Sequence, residues 1–243
     1  MKKINLTDEI KQNLQEILNG FDSYSEFTSN TISYDYAEIL EQFTKYCPYC
    51  NINDIITIRR EEGQRGQRMT FDHFICKSAD NSRELDCENL IPSCHTCNSS
   101  YKSSKQDKPI INPFKEDFDS VTEFKLDVTP SSLEDYRNAN ILISTDTNSE
   151  LSEEAENSIE LFNLKRRYND DLTKEELGDF YCKLVRYPKI RRDDINNLSN
   201  NECDDYVRNS ILELKDKDIN KTRYGKLKKD LINRYLFNEN KFA

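Results

Sequence analysis

The chain has 243 residues, of which 35% are hydrophobic, 33% charged and 10% aromatic, with a net charge of −10. The aromatic content excludes a disordered chain, and no apolar run reaches the ~20 residues of a membrane span. The charged N-terminus lacks the apolar core of a signal peptide, so we expect a soluble cytoplasmic protein. Residues 111–160 hold 13 acidic but only 3 basic side chains. A phosphate-binding face is therefore expected elsewhere on the surface.

The first half of the sequence predicts helices followed by short strands. Thr7 can cap a helix over residues 8–19, and the spacing of Tyr36, Ile39, Leu40 and Phe43 predicts a second helix. Polar and Arg/Gly-rich stretches separate the segments that follow. These are expected to be strands over 55–58, 69–75 and 89–92, loops over 59–68 and 76–88, and a helix over 95–106.

The second half predicts a mixed, mainly helical region. Its expected elements are strands over 124–128 and 141–143, a helix from Ser152, a helix begun by a Thr173–Glu176 capping box, and helices over 206–214 and 222–236. We therefore predict an α+β protein with an N-terminal helical segment over 1–45, a core over 46–110, and a mixed strand and helix region over 111–243.

Two cysteine pairs stand out in the predicted core. Cys47 and Cys50 form one C-x2-C pair, and Cys94 and Cys97 form another. Four thiolates at this spacing are typical of a closed, tetrahedral structural zinc site. The alternative is four buried, unpaired thiols, which rarely produce two such pairs. The long gap between the pairs indicates that an inserted segment with a function of its own lies between them.

That insert contains Asp72-His73 and Asn89-Leu90, and the second pair is followed by Asn98 and Lys102. This combination resembles the HNH endonuclease motif, in the subtype with Asn at the third position, over about residues 46–106. The resemblance implies a zinc-braced ββα-metal fold. It also implies a phosphodiester hydrolase that acts on DNA.

The resemblance assigns a role to each residue. His73 activates water, Asn89 steadies the loop that carries it, and Asp72 with Asn98 holds a divalent cation, Mg²⁺ or Mn²⁺. Lys102, four residues after Asn98, is expected on the same helix face as a phosphate contact. The alternatives are a noncatalytic zinc module that binds nucleic acid or protein, and a nuclease that cuts RNA.

Basic residues near the motif are candidates for nucleic-acid binding. They are Arg59, Arg60, Arg65 and Arg68 in the Arg/Gly-rich loop, with Lys102 and Lys105 in the following helix. For the loop, a solvated hairpin tip is an equal alternative. Beyond the motif, the chain combines an N-terminal helix and the CPYC-type cysteine pair with Ile111-Asn112-Pro113-Phe114, residues 155–164 and Arg166-Arg167-Tyr168. This overall layout is similar to the HNH subunit of Septu and retron-linked antiphage systems. That similarity implies an antiphage effector with an ATPase partner, and a homo-oligomer is possible.

Overall fold

The computed structural model describes residues 1–59, 66–103, 107–186 and 219–236. Within these ranges the chain forms α-helices, two short sheets and a π-helix. The helices are α1 (Asp8–Leu18), α2 (Tyr24–Ser29), α3 (Ile32–Glu41), α4 (Phe118–Val121), α5 (Leu133–Asn138), α6 (Ser152–Leu161), α7 (Leu164–Tyr168), α8 (Asp171–Glu176), α9 (Gly178–Arg186) and α10 (Gly225–Leu236). The strands are β1 (Thr70–His73), β2 (Leu90–Ser93), β3 (Thr122–Leu126) and β4 (Ile141–Thr145).

The N-terminal helices agree with the sequence pattern, with one addition. Thr7 caps α1 by accepting a hydrogen bond from the Ile10 backbone, as predicted, and the apolar stripe of α1 buries Leu14 and Leu18. The second predicted helix exists but begins earlier, at Ile32. The short helix α2, capped by Ser23, was not predicted because six residues carry little periodic signal.

The predicted core contains a two-stranded antiparallel sheet followed by a helix. In its register, Asp72 lies opposite Ile91 and His73 opposite Leu90. The π-helix Thr96–Lys102 follows β2 and lies against β1. The strand predicted over 55–58 was wrong. Ile58 forms only an isolated bridge with Gln67, because a β-branched run needs a partner strand to become part of a ladder.

In the second half, β3 and β4 pair antiparallel and α10 packs against β3. The prediction of a capping box that begins at Thr173 was wrong. Asp170 caps α8 instead, and Thr173 lies inside that helix with its hydroxyl donating to the Arg167 carbonyl. The sequence signal misled because an acceptor three residues upstream competes for the same helix start. The predicted helix over 206–214 lies outside the described residues.

The two halves share one hydrophobic cluster that runs from Met1 to Leu236. Asn51, beside the first cysteine pair, donates from its side chain to the carbonyls of Ile219 and Thr222 and accepts from the Lys226 backbone. The α+β class is confirmed, while the domain boundaries stay a prediction. Among the described helices, none combines the length and the apolar character required to cross a bilayer.

Candidate active site and zinc centre

The four cysteines of the two C-x2-C pairs converge in the folded chain. Their Sγ atoms all lie within 4.8 Å of one another, and all four residues are buried. A tetrahedral Zn²⁺ with Zn–S bonds of about 2.3 Å needs sulfur atoms roughly 3.8 Å apart, so the cluster fits this ion after a small contraction. The first pair is shaped by Asn51, which adopts a left-handed backbone at φ 54° and donates to the Cys47 carbonyl over 2.7 Å.

Three N–H groups point at the sulfur atoms and would compensate the charge of the thiolates. The backbone of Cys97 and the side chain of Asn53 each donate to Cys94 Sγ over 3.4 Å. The Arg167 guanidinium, from α7, donates to Cys97 Sγ over 3.3 Å. Such donors outside the ligand set tune and orient a metal site. The second half of the chain therefore contributes to the metal centre.

The His73 imidazole stands at the end of β1, with one ring nitrogen already engaged. Its Nε2 lies 3.0 Å from the Glu84 carbonyl oxygen. A carbonyl only accepts, so Nε2 must carry the proton and Nδ1 keeps the lone pair. Among the described residues, no group is hydrogen-bonded to Nδ1. The Tyr24 ring contacts the imidazole edge-on, with centroids 4.5 Å apart, and limits its rotation.

The surroundings of His73 keep the imidazole neutral. Burial lowers its pKa below the ordinary 6.5, and the positive charge of Lys77 lowers it further. The hydrogen bond to the Glu84 carbonyl acts in the opposite direction but does not reverse the shift. A histidine with a lowered pKa is unprotonated at neutral pH, which is the state a general base requires.

Asp72 precedes His73 in β1 and is 3% exposed. Its Oδ2 accepts a 2.6 Å hydrogen bond from the Tyr49 hydroxyl, and the Lys102 ammonium lies 3.1 Å from Oδ1 and 2.9 Å from Oδ2. Lys102 also donates to the His73 carbonyl over 2.6 Å. The carboxylate is thus held by a fully buried lysine and a buried tyrosine.

Lys102 is therefore not where its spacing from Asn98 suggested. We expected an ammonium exposed to a phosphate, but the side chain is completely buried. The physical reason is the winding of the helix, in which the Ser103 amide bonds to the Asn98 carbonyl, five residues back. This wider turn brings Lys102 to the core side together with Cys97.

Asn98 is half-buried on the flank of the π-helix. Its Nδ2 donates to the Phe71 carbonyl over 3.4 Å, which leaves Oδ1 without a donor within the described ranges. Asn98 lines an open cavity of about 460 Å³ together with Asp72 and His73. The three residues expected to share one site therefore line one cavity.

Asn89 holds the loop between β1 and β2 and is 1% exposed. Its Oδ1 accepts from the Ile75 amide over 2.7 Å, while Nδ2 donates to the carbonyls of Ile75 and Arg83 over 3.1 and 3.0 Å. These bonds fix both ends of the segment that carries Glu84, the partner of His73. The three hydrogen bonds of the side chain all go to the loop, and Asn89 does not line the cavity.

The basic residues expected at nucleic acid are only partly available. Arg59 is engaged by Asp35 and Glu38 of α3, at 2.5 and 2.6 Å. Arg68 is half-buried, donates to the Thr28 carbonyl, and lies 5.0 Å from the Phe71 ring centroid. Both guanidinium groups bind the protein itself, although Arg59 remains exposed. Arg60, Arg65 and Lys105 lie outside the described residues.

Three residues near the site were missed by sequence reasoning. Tyr49 lies between the cysteines of the first pair, and Arg167 lies in α7, distant in sequence from the residues that it contacts. Cys76 is partly exposed in the cavity, and hydrogen bonds from the Ser78 hydroxyl and the Ala79 amide lower its pKa. No local pattern identifies these residues, because their role depends on contacts distant in sequence.

Comparison with known proteins agrees with this geometry. No curated protein and no solved structure matches the chain. The family model described as HNH endonuclease matches residues 47–104, from the first cysteine of the zinc cluster to just beyond the π-helix. This part of the chain is thus similar to HNH endonucleases, which supports a nuclease.

Proposed function

We propose that the protein is a metal-dependent endonuclease that hydrolyses phosphodiester bonds in DNA at the cavity lined by Asp72, His73 and Asn98. The observation that carries the proposal is that all three residues line the same open cavity. Zinc at the four cysteines serves the structure, because that cluster is closed and buried. A catalytic zinc would need an open coordination position.

In this proposal His73 is the general base. Nδ1 takes a proton from water while Nε2–H remains bonded to the Glu84 carbonyl, which keeps the ring in one tautomer and one orientation. The lowered pKa of His73 keeps the base neutral before the reaction. Asn89 acts indirectly, since it fixes the loop that supplies the Glu84 carbonyl.

Asp72 and Asn98 would hold one Mg²⁺ or Mn²⁺ ion. They offer a carboxylate and an amide carbonyl, a sparse oxygen set suited to an ion that keeps several waters and takes the rest of its shell from substrate. Asn98 fits well because its amide nitrogen is already used. Asp72 fits through the lone pairs that Tyr49 and Lys102 leave free. When bound, the cation would stabilise charge developing on the phosphate and leaving oxygen.

Cleavage of plasmid DNA in Mg²⁺ or Mn²⁺ tests the proposal, with His73→Ala as the variant and His95→Ala as the matched control. His95 is the other histidine of the chain and is exposed at the start of the π-helix. We expect His73→Ala to abolish cleavage while its zinc content and melting temperature stay unchanged, and His95→Ala to keep most activity. Equal cleavage by wild type and His73→Ala would exclude His73 as the base.

One observation favours a second candidate, a noncatalytic zinc module. The Lys102 ammonium already neutralises the Asp72 carboxylate in the folded chain, which weakens the pull of that carboxylate on a divalent cation. A module of this kind would bind DNA, RNA or protein without cutting. Binding without cleavage of either nucleic acid, across both metals, would favour it. Cleavage of RNA alone would instead identify an RNA nuclease.

We also propose a cytoplasmic role as the nuclease effector of antiphage defence, working beside an ATPase subunit. The support is the sequence layout, which combines the HNH-like segment with Ile111-Asn112-Pro113-Phe114 and Arg166-Arg167-Tyr168. Co-expression with the genes that adjoin it, followed by phage plating, tests this role. Protection that depends on both His73 and an adjoining ATPase gene would support it, and equal plating with His73→Ala would refute it.

A further inference from the structure

The π-helix that carries Asn98 has a second cavity on its other flank. Asn98, Ser99 and Ser103 line the cavity that contains His73. Thr96 and Tyr101 line a separate groove of about 400 Å³. Since Cys97 and Lys102 face the core and Ser99 and Ser100 are exposed, the two cavities are separated only by the solvent-facing crest of this helix.

The far wall of this second groove is basic and comes from the second half of the chain. Arg166 and Arg167 of α7 line it, with Asn53 and Asn163 as neutral polar neighbours. Arg166 is exposed and, in the part of the chain that the structure describes, makes no ion pair or hydrogen bond through its side chain. Its guanidinium is therefore available to an anion. The acidic member of the groove, Asp170, is engaged as the cap of α8.

Arg167 and Tyr101 give the groove a fixed floor. The Arg167 guanidinium is held by Cys97 Sγ and the Phe162 carbonyl, each at 3.3 Å, and lies 5.1 Å from the Tyr101 ring centroid. An immobilised cation beside a partly exposed aromatic ring is the combination that binds a nucleic-acid backbone and stacks a base. A groove built only of mobile lysines would lack this preorganisation.

We propose that this groove, formed by Thr96, Tyr101, Arg166 and Arg167, binds the phosphodiester backbone of the strand that is cut in the His73 cavity. The inference rests on the proposed function and adds a subsite to it. The crest between the two cavities is about one helix wide, on the order of 10 Å. The phosphate at Arg166 therefore lies close to the scissile one along the same strand. The exposed hydroxyls of Ser99 and Ser100 line the path between them.

Binding of labelled DNA as a function of salt tests the groove, measured on the His73→Ala protein so that cleavage does not interfere. Removal of one phosphate contact lowers the slope of log affinity against log salt by about 0.9, which at about 0.1 M salt is roughly an eightfold loss. We expect this loss for Arg166→Gln and a restored slope for Arg166→Lys. Lys165→Gln is the matched control, because Lys165 is the exposed neighbour in α7 but does not line the groove.

The outcomes separate the two proposals. If Arg166→Gln and Lys165→Gln bind DNA with equal affinity and equal salt slope, the groove is not a phosphate subsite, even if the wild type cuts DNA at His73. If the wild type neither binds nor cuts DNA or RNA, the proposed function fails and the subsite fails with it. Melting temperatures equal to that of the parent show that neither variant acts through folding.

Discussion

The buried pair of Asp72 and Lys102 makes a quantitative prediction about stability. Replacing Lys102 by Met keeps an unbranched side chain, shorter by one atom, but removes the only cation within 3.1 Å of the Asp72 carboxylate, among the described residues. Asp72 is 3% exposed, so water cannot replace the lysine without rearrangement. Breaking a buried ion pair by removing one partner costs about 3–5 kcal/mol.

The expected effect is large enough for thermal unfolding. In a chain of this size each kcal/mol lowers the melting temperature by roughly 2–4 °C, so Lys102→Met should lower it by about 6–20 °C. Lys108→Met is the matched control, since Lys108 pairs with Glu160 at 3.3 Å but both side chains are mostly exposed. That pair should contribute under about 1 kcal/mol. Circular dichroism of zinc-loaded protein measures both.

A double substitution tests the assigned cause. Lys102→Met leaves the buried Asp72 carboxylate without its cation, and Asp72→Asn removes that negative charge. The double variant should therefore be more stable than the sum of the two single changes predicts. Additive losses would mean that the two side chains do not interact. If Lys102→Met and Lys108→Met have the same melting temperature, the Lys102 ammonium does not stabilise the site.

Four further predictions concern the site. Cleavage should rise with pH through a midpoint below 6.5 and be level at pH 7, because His73 must be neutral; a midpoint above 6.5 would contradict its lowered pKa. Cys94→Ser should contain no zinc by elemental analysis and should unfold, because the free energy of zinc binding at this site contributes to folding. A folded, metal-free variant would refute the structural zinc site. Asn89→Ala removes the hydrogen bonds that fix the loop, so amide hydrogen exchange over residues 74–88 should increase. Cleavage should fall on the order of 10²-fold. Unchanged exchange would show that other contacts fix the loop. Tyr49→Phe keeps the ring stacked 4.6 Å from Phe162 but removes the hydrogen bond to Asp72. It should lower the stability by about 1 kcal/mol and raise the Mn²⁺ concentration needed for cleavage. An unchanged metal requirement would show that Tyr49 does not act on the proposed cation site.

The clustering of the four cysteines and the residues of the cavity could be predicted from sequence, because their signals are spacings. Two C-x2-C pairs, an Asp-His step and an Asn after the last cysteine are readable without tertiary information. The helix cap at Thr7 is local in the same sense. Where two local signals competed, as for Asp170 and Thr173, the sequence offered no means of ranking them.

What could not be predicted depends on winding and on contacts distant in the chain. The position of Lys102 follows from π-helical rather than α-helical hydrogen bonds, and no residue pattern distinguished the two. Tyr49 reaches Asp72 across 23 positions, and Arg167 reaches Cys97 across 70. The Arg/Gly-rich loop suggested a basic clamp, but Arg59 is neutralised by carboxylates of α3 that lie far from it in sequence.

The tie between the first cysteine pair and the last helix bears on how the protein is made. Asn51 bonds to the carbonyls of Ile219 and Thr222, and Tyr168 donates to the Cys50 carbonyl. Translation must therefore reach residue 222 before the turn of the first cysteine pair gains these partners. A product that ended before residue 168 would contain all four clustered cysteines, together with His73 and Asn98, yet lack all of these contacts. The order of synthesis thus makes this part of the core one of the later parts of the described chain to be completed.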